Sequence, residues 1–457
     1  MITEENENVQ FQLTKALVEQ VDRLIESQDD EALGMLLSEY HYADIAEILD
    51  ELDLSDTLYV IKLLDSETTS DVLTELDEDI REKVLKNLSA KEIAEEIEEL
   101  DTDDAADIIS ELPEDRKKEV IAKIEDEEHK AEIEELLAYD EDTAGGLMAK
   151  ELVKVYETWT VAGCMRRIRG QAEEVTRVHS IYVVDKQEKL IGRLSLKDLI
   201  IAKNEQKISE IAKDNVDYVN VNEDAEEVAK IMSKYDLEAI PVVDENQTLV
   251  GRITIDDIVD VLKVEAEKDY QLAAGITQDV EADDSILELT KARLPWLVLG
   301  LFGGLGSVFI MKDYEHIMET VPSLFFYTPL IAAMAGNVGV QSSAIIVQGL
   351  ANDNVKGSLL NRLVKEVGLS LINGLALALL VMLFGFIIGQ NSTESLAIAV
   401  SMMSVIVVAA LVGTFVPIIL DKRGIDPAIA TGPFITTSND ILGIYLFFVL
   451  AGLIIGF

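Results

Sequence analysis

Five apolar stretches, at about residues 295–311, 322–351, 367–389, 395–420 and 427–457, approach or exceed the ~20 residues that a helix needs to cross a bilayer. They crowd into the end of the 457-residue chain, and lipid restricts that part to helices that satisfy their own backbone groups. Charge lies elsewhere. Residues 291–457 carry 8 Lys or Arg and 9 Asp or Glu, so residues 1–290 hold the other 30 basic and 77 acidic residues and nearly all of the net -48. Two solvents are implied, and with them a multi-domain membrane protein. If the first span enters from the cytosol, the inner flanks carry Lys291, Arg293, Lys356, Arg362, Lys365, Lys422 and Arg423, against Lys312 alone outside. That asymmetry places the C-terminus outside. The opening MITEENENVQ has neither the basic region nor the apolar region of a signal peptide, so residues 1–290 are expected in the cytosol.

An acidic surface repels polyanions, so no nucleic acid is expected as partner. Cations suit it instead. Cys164 is the single cysteine, which excludes an internal disulfide. His41, His129, His179 and His316 are dispersed, with no metal-ligand spacing joining them. There is no G-x-x-x-x-G-K-[ST] loop to cradle phosphates, and nothing else supports catalysis, so the chain reads as a non-enzyme.

Leu52, Leu64, Leu76, Leu88, Leu100, Leu112, Ile124 and Leu136 fall 12 residues apart. Between them, sets such as Ile45, Ile48, Leu49 and Leu52 have helical spacing. The spacing predicts short helices over residues 1–140, paired every 24 residues and stacked as an acidic superhelix. A second repeat follows: residues 180–200, SIYVVDKQEKLIGRLSLKDLI, align without gaps on 239–259, AIPVVDENQTLVGRITIDDIV. Each copy reads as strand, turn, strand and helix. The pair resembles tandem cystathionine-β-synthase (CBS) domains, α/β units expected here at 141–204 and 205–262. Such pairs often bind ATP or another adenine nucleotide through a Ser/Thr-x-x-Asp element, matched by Ser195 with Asp198 and Thr254 with Asp257. Helix N-capping is the competing reading of both. Residues 263–292, with Glu265, Glu267, Lys268, Asp269, Asp279, Glu281, Asp283 and Asp284, form a polar helical connector to the membrane domain at 293–457.

Inside the spans stand polar residues that hydrocarbon penalises. An Asp at mid-membrane costs about 2.5–3.5 kcal/mol on insertion scales, so Asp440, 14 positions into the last stretch, is expected to face a bundle interior or a wet path. Thr436 and Thr437 lie a turn earlier, and Asn337, Gln341, Ser342 and Ser343 sit in the second span. Together they read as the lining of a passage. An Asp440 protonated and bonded between helices is the alternative. Gly303, Gly304 and Gly306 read as helix-packing contacts.

The order of these parts, with Tyr139, Thr143-Ala-Gly-Gly-Leu-Met148, Arg293-Leu-Pro-Trp296, Gly336-Asn337-Val-Gly-Val-Gln341, Asp426-Pro427 and Asp440, resembles the MgtE family of magnesium channels over essentially the whole chain. The resemblance implies a homodimer embedded in membrane lipid, a pore between the two five-helix domains, and a hydrated Mg2+ held at Asp440. It further implies cytosolic Mg2+ sites that close the pore, carried here onto Asp103 and Asp107 of the superhelix, Asp224, Glu226, Asp236, Asp257 and Asp260 of the second CBS repeat, Glu265 of the connector and Asp426 at the pore mouth. Lys268 departs from the acidic residue expected on the connector. Two other functions fit the same parts: a Na+- or H+-coupled exchanger, and a membrane-tethered nucleotide sensor.

Overall fold

Every twelfth residue of the first segment is a leucine or isoleucine, and the residue after it is usually Asp or Ser. In the computed structural model that dipeptide joins consecutive helices: the aliphatic side chain closes one helix into the core and the polar residue starts the next. Residues 11–172, 175, 177–278, 280, 284–351, 355 and 358–456 are described. Residues 1–10 and the singled-out Asp279, Glu281, Asp283 and Lys356 lie outside them. The chain divides into two units, Met1–Leu262 and Lys263–Phe457.

The first unit begins with ten short helices: α1 (Lys15–Ser27), α2 (Asp30–Leu37), α3 (Tyr42–Asp50), α4 (Leu54–Ile61), α5 (Ser66–Glu75), α6 (Glu78–Asn87), α7 (Ala90–Ile97), α8 (Thr102–Ser110), α9 (Glu114–Ile121) and α10 (Glu127–Leu136). Helices two apart stack, α3 on α5, α5 on α7, α7 on α9, and α4 on α6, which is the 24-residue repeat made physical. Buried Leu52, Leu76, Leu88, Leu100 and Leu112 mark the seams, each contributing about 2 kcal/mol of burial. Hydroxyls repeat as well: Thr57 donates to Leu49 O (3.2 Å) and Thr69, twelve residues on, to Ile61 O (3.3 Å).

Arg81 ties two repeats together. Its Nε donates to both oxygens of Glu111 (2.9 and 3.0 Å), and its Nη1 to the carbonyls of Thr74 and Leu76 (both 3.1 Å) at the end of α5. The two side chains are only 16% and 18% exposed. Arg81→Ala therefore strands a carboxylate and two carbonyls. Denaturant titration is expected to show a loss of about 3 kcal/mol, since breaking a mostly buried pair leaves its partner uncompensated.

The CBS repeats comprise β1 (Val153–Tyr156), α11 (Val161–Gln171), β2 (Ile181–Val184), β3 (Leu190–Leu194), α12 (Leu196–Ile201) and α13 (Ile208–Ile211), then β4 (Val219–Asn220), α14 (Ala225–Tyr235), β5 (Ala239–Val243) and β6 (Leu249–Thr254). Each repeat holds a three-stranded sheet, β1-β2-β3 or β4-β5-β6, with its first pair parallel and its second antiparallel. The 59-residue offset recurs in the register: Val183 pairs with Gly192, and Val242 with Gly251. Leading into the first repeat, Thr143-Ala-Gly-Gly-Leu-Met148 bonds instead to the second. Ala144 N donates to Glu223 O (2.8 Å) and Gly145 N to Val221 O (2.9 Å), while Ala149 and Arg252 exchange both backbone bonds (2.8 and 2.9 Å). The two glycines are required by close approach, because a Cβ would stand 2.6 Å from the Tyr139 ring at Gly145 and 2.5 Å from Asp140 O at Gly146.

The connector is not a separate helix from its start: α15 (Ile255–Ala274) runs unbroken from the end of β6. The second unit contains α16 (Ile286–Asp313), α17 (Glu315–Thr320), α18 (Pro322–Ala351), α19 (Leu359–Ile387), α20 (Ser392–Asp421), a 3-10 turn (Pro427–Ala430) and α21 (Gly432–Ile455). Five of these are long and apolar enough to cross a membrane. α20 packs against α18, α19 and α21, with Ile398, Met402, Ile406, Phe447 and Phe448 buried among them. The third span starts at Leu359 rather than 367, because a helix continues through charged ends that a hydropathy reading trims. The last starts at Gly432 rather than 427, so Asp440 lies about 12 Å along it, at ~1.5 Å per residue, instead of about 20 Å.

Candidate functional site

In the first unit, α8 opens without help from its own N-cap, since the Asp101 side chain makes no capping bond. Glu151 supplies the cap from beyond the superhelix: it accepts from Thr102 N (3.2 and 3.3 Å) and Thr102 Oγ1 (2.9 Å). Asp101 is released to face Arg252 at 3.5 Å. Helix α8 thus brings Asp101, Asp103, Asp104 and Asp107 into the field of Asp256 and Asp257 at the start of α15. Asp101, Asp103 and Glu151 present ligand oxygens within 4.8 Å of one another.

Like charges crowded this way hold protons. Desolvation, with Glu151 adding, pushes Asp101 up to about 6 against the pull of Arg252. Desolvation and the fields of Asp104 and Asp257 put Asp103 well above the ordinary carboxylate range. Asp104 rises to about 7 through desolvation and Asp257, and Asp107 to about 7 through desolvation and Glu141. Desolvation carries Asp257 to about 6, although Thr254 N and Oγ1 (both 2.8 Å) donate to its carboxylate and lower it. Asp71 and Glu75 on α5 are raised too, by desolvation first; Glu67 adds at Asp71 and Asp260 at Glu75. An oxygen-rich, under-neutralised cluster fits a hard divalent cation.

The sign of the pH dependence follows. These folded-state values exceed the ~3.9 of an unfolded Asp, so the native state binds more protons between about pH 4 and pH 7. Stability is highest below that window and falls as pH rises through it. Without divalent ions, melting of the soluble unit is expected at lower temperature at about pH 8 than at about pH 5, with Mg2+ restoring it at the higher pH.

The other expected residues are placed differently. Asp224 caps α14 through Glu226 N (3.0 Å), Glu226 pairs with Lys230 (2.9 Å), and Asp236 is the left-handed C-cap of the same helix. Twelve positions of rise, about 18 Å, separate Asp224 from Asp236, so one chain does not bring them into one site. Glu265 is paired with Lys268 at 2.9 Å, which ties the departure from the acidic pattern to the loss of a free carboxylate. Asp426 caps the 3-10 turn through Ala428 N (2.7 Å). Ser195 and Asp198 form a capping box, Ser195 Oγ donating to Asp198 at 2.7 Å and Asp198 N donating back at 3.1 Å, while Thr254 N and Oγ1 donate to Asp257 as described.

In the second unit, Asp440 lies against Gly336, with its Oδ1 3.5 Å from where a Cβ would be, and it is half-buried. Asn337 and Gln341, next along α18, are exposed in a span of membrane length. Ser342 and Ser343 are buried, Ser342 donating to Glu366 of α19 at 2.7 Å, whereas Asn337 and Gln341 are exposed. Thr436 packs on Gly336 whereas Thr437 packs on Gly303 of α16, which separates two residues expected to act together. Gly303 and Gly306 are packing contacts with α21; Gly304 has nothing nearby.

The start of α21 also meets the end of α15. Gly432 (φ +39°) would place a Cβ 2.1 Å from Ala273 O, and Gly275 (φ +81°) one 2.4 Å from Pro433. Only glycine allows this approach. Asp101, Asp104 and Glu151 are not legible in the sequence as site residues, because packing between distant segments gives them their role.

A carboxylate-rich first unit joined to five membrane-length helices, one carrying an aspartate within the bundle, defines a cation-handling membrane protein. Family profiles match as "divalent cation transporter" over residues 328–450, "MgtE intracellular N domain" over 40–142 and "CBS domain" over 144–205 and 208–264. The magnesium transporter MgtE of Bacillus subtilis (strain 168) is 35% identical over 317 residues, 69% of this chain and 70% of its own. That of Thermus thermophilus is 37% identical over 324 residues, 70% and 72%. Among solved structures, the cytosolic domain of the Mg2+ channel MgtE in complex with ATP matches with a TM-score of 0.51 and 37% identity, over 53% of this chain and 99% of that one. The soluble part of a magnesium transporter matches with a TM-score of 0.50 and 29% identity, over 55% and 99%. The chain belongs to the MgtE family of magnesium transporters.

Proposed function

We propose that the protein is a homodimeric channel that imports Mg2+ across the cytoplasmic membrane and closes when Mg2+ binds its acidic cytosolic part. The observation that carries this is the face of α18 and α21: Asn337 and Gln341 exposed beside a half-buried Asp440. Exposed amides are costly against lipid, so a water-filled path shared with a second copy is what that face fits. Mg2+ gives up water reluctantly, and carboxylate and amide oxygens suit its hydrated form. The cluster of Asp101, Asp103, Asp104, Asp107 and Asp257, with Asp260 beside Glu75, is the sensor: without Mg2+ its members repel, and bound cations bridge them. Asp224, Glu226, Asp236, Glu265 and Asp426 are assigned to further regulatory ions that need the second subunit or a rearranged connector. The N-terminus is cytosolic and the C-terminus outside, by the positive-inside asymmetry.

An adenine nucleotide such as ATP is assigned to the CBS pair on the side of Ser195 and Asp198, near Lys213 (3.8 Å from Asp198). Thr254 stands beside the acidic cluster, whose field opposes a triphosphate. Mg2+ flux through purified protein in liposomes, measured as internal Mg2+ is raised, tests the reading. Flux that needs no Na+ or pH gradient and falls at millimolar internal Mg2+ supports it; flux that stops without such a gradient contradicts it.

A further inference from the structure

We propose that His129, Glu132 and Glu151 form a separate site for a divalent transition ion of the Zn2+ type, set apart from the Mg2+-binding carboxylates by its ring nitrogen. His129 and Glu132 lie three residues apart on α10 and so share a face. Glu151 is brought to them by the Thr102 bonds that cap α8. One ligand atom from each of the three lies within 4.8 Å of the others.

The histidine distinguishes this cluster from the acidic surface around it. His129 Nε2 lies 3.3 Å from the carbonyl oxygen of Ile97. A carbonyl only accepts, so a ring bonded there donates from Nε2, which leaves Nδ1 as the nitrogen available to a metal. A metal-binding histidine is held in the same way, with its second nitrogen donating to a backbone carbonyl. Lys150, whose field reaches Glu132, is bonded to Glu135 at 2.7 Å. Glu132 is accordingly raised, by desolvation and then by Glu151. Zn2+ takes imidazole and carboxylate ligands at about 2.0–2.2 Å in a tetrahedron, and closing these three on an ion needs a contraction of about 1.4 Å in the widest spacing allowed here. Mg2+ prefers oxygen throughout, which leaves this triad to a borderline ion.

Glu151 belongs to both triplets, the all-oxygen one with Asp101 and Asp103 and this one. Occupancy of the two is therefore interdependent. A transition ion would act on the junction between α8, α10 and the first CBS strand without entering the pore.

The test uses the full chain in detergent, with Co2+ as a coloured stand-in for Zn2+ and Mg2+ in large excess. One Co2+ per chain is expected to remain bound, with visible bands of mixed nitrogen and oxygen coordination, and to be displaced by Zn2+. His129→Gln is expected to weaken it by about tenfold or more and to remove the nitrogen signature; Glu132→Gln is expected to weaken it while keeping that signature. Both positions are partly exposed, so the fold tolerates the changes. Complete displacement of Co2+ by Mg2+, or unchanged binding in His129→Gln, overturns the site. Neither outcome bears on flux, so the channel reading is judged independently.

Discussion

Asp440→Ala is expected to bring Mg2+ flux in liposomes down to the level of protein-free vesicles while leaving the protein folded. Among the described residues the Asp440 side chain makes no hydrogen bond or ion pair within its chain, so its removal strands no partner. Taking a carboxylate out of the hydrocarbon region removes an insertion cost of about 2.5–3.5 kcal/mol. Thermal stability in detergent should therefore hold or rise as transport disappears. That opposite movement separates a permeation role from a structural one. Asp440→Asn keeps the shape and an oxygen but loses the charge that concentrates cations, and should retain only a small fraction of wild-type flux. A tethered nucleotide sensor would lose little in either variant.

Gly432→Ala is the second large expectation. Its new methyl group would meet Ala273 O at 2.1 Å, a contact with backbone that no side-chain rotation relieves, and φ at +39° adds strain. The end of α15 must then leave the start of α21. If α15 holds the inner end of the pore helix in its closed position, flux in Gly432→Ala should persist at internal Mg2+ concentrations that silence the wild type. The acidic cluster lies in the other unit and should still bind Mg2+, its affinity lowered by no more than the coupling that this contact carries. Retained Mg2+ inhibition would show that closure does not pass through this contact.

The parts that were readable in the sequence are those where one period dominates. A 12-residue aliphatic spacing needs no tertiary information to give stacked short helices, and Val242, Gly251 and Asp257 repeat Val183, Gly192 and Asp198 because both hairpins obey one register. The site was less legible. Asp103, Asp107, Asp257 and Asp260 came from family resemblance, and the structure brings Asp103 and Asp107 into one field with Asp257, and Asp260 beside Glu75. Glu151 was hidden because its role depends on Thr102, 49 residues away. His129 looks dispersed in the sequence, since its companions include a carboxylate from beyond the superhelix. Ser342 and Thr437 misled because neighbours in sequence face different helices: Ser342 turns to Glu366 and Thr437 to Gly303.

The most direct test is a distance. Nitroxide labels at Glu67→Cys on α5 and Lys234→Cys on α14 report the span from superhelix to second CBS repeat, both positions being exposed. Cys164 is buried, and burial pushes its thiol up to about 11, so it should stay unlabelled. In lipid vesicles, with labelled protein diluted by unlabelled, pulsed electron double resonance is expected to show this distance lengthening by several Å, on the scale of the ~8 Å Debye length, when Mg2+ is removed. A distribution that is the same with and without Mg2+ would contradict the claim that cations hold these acidic surfaces together.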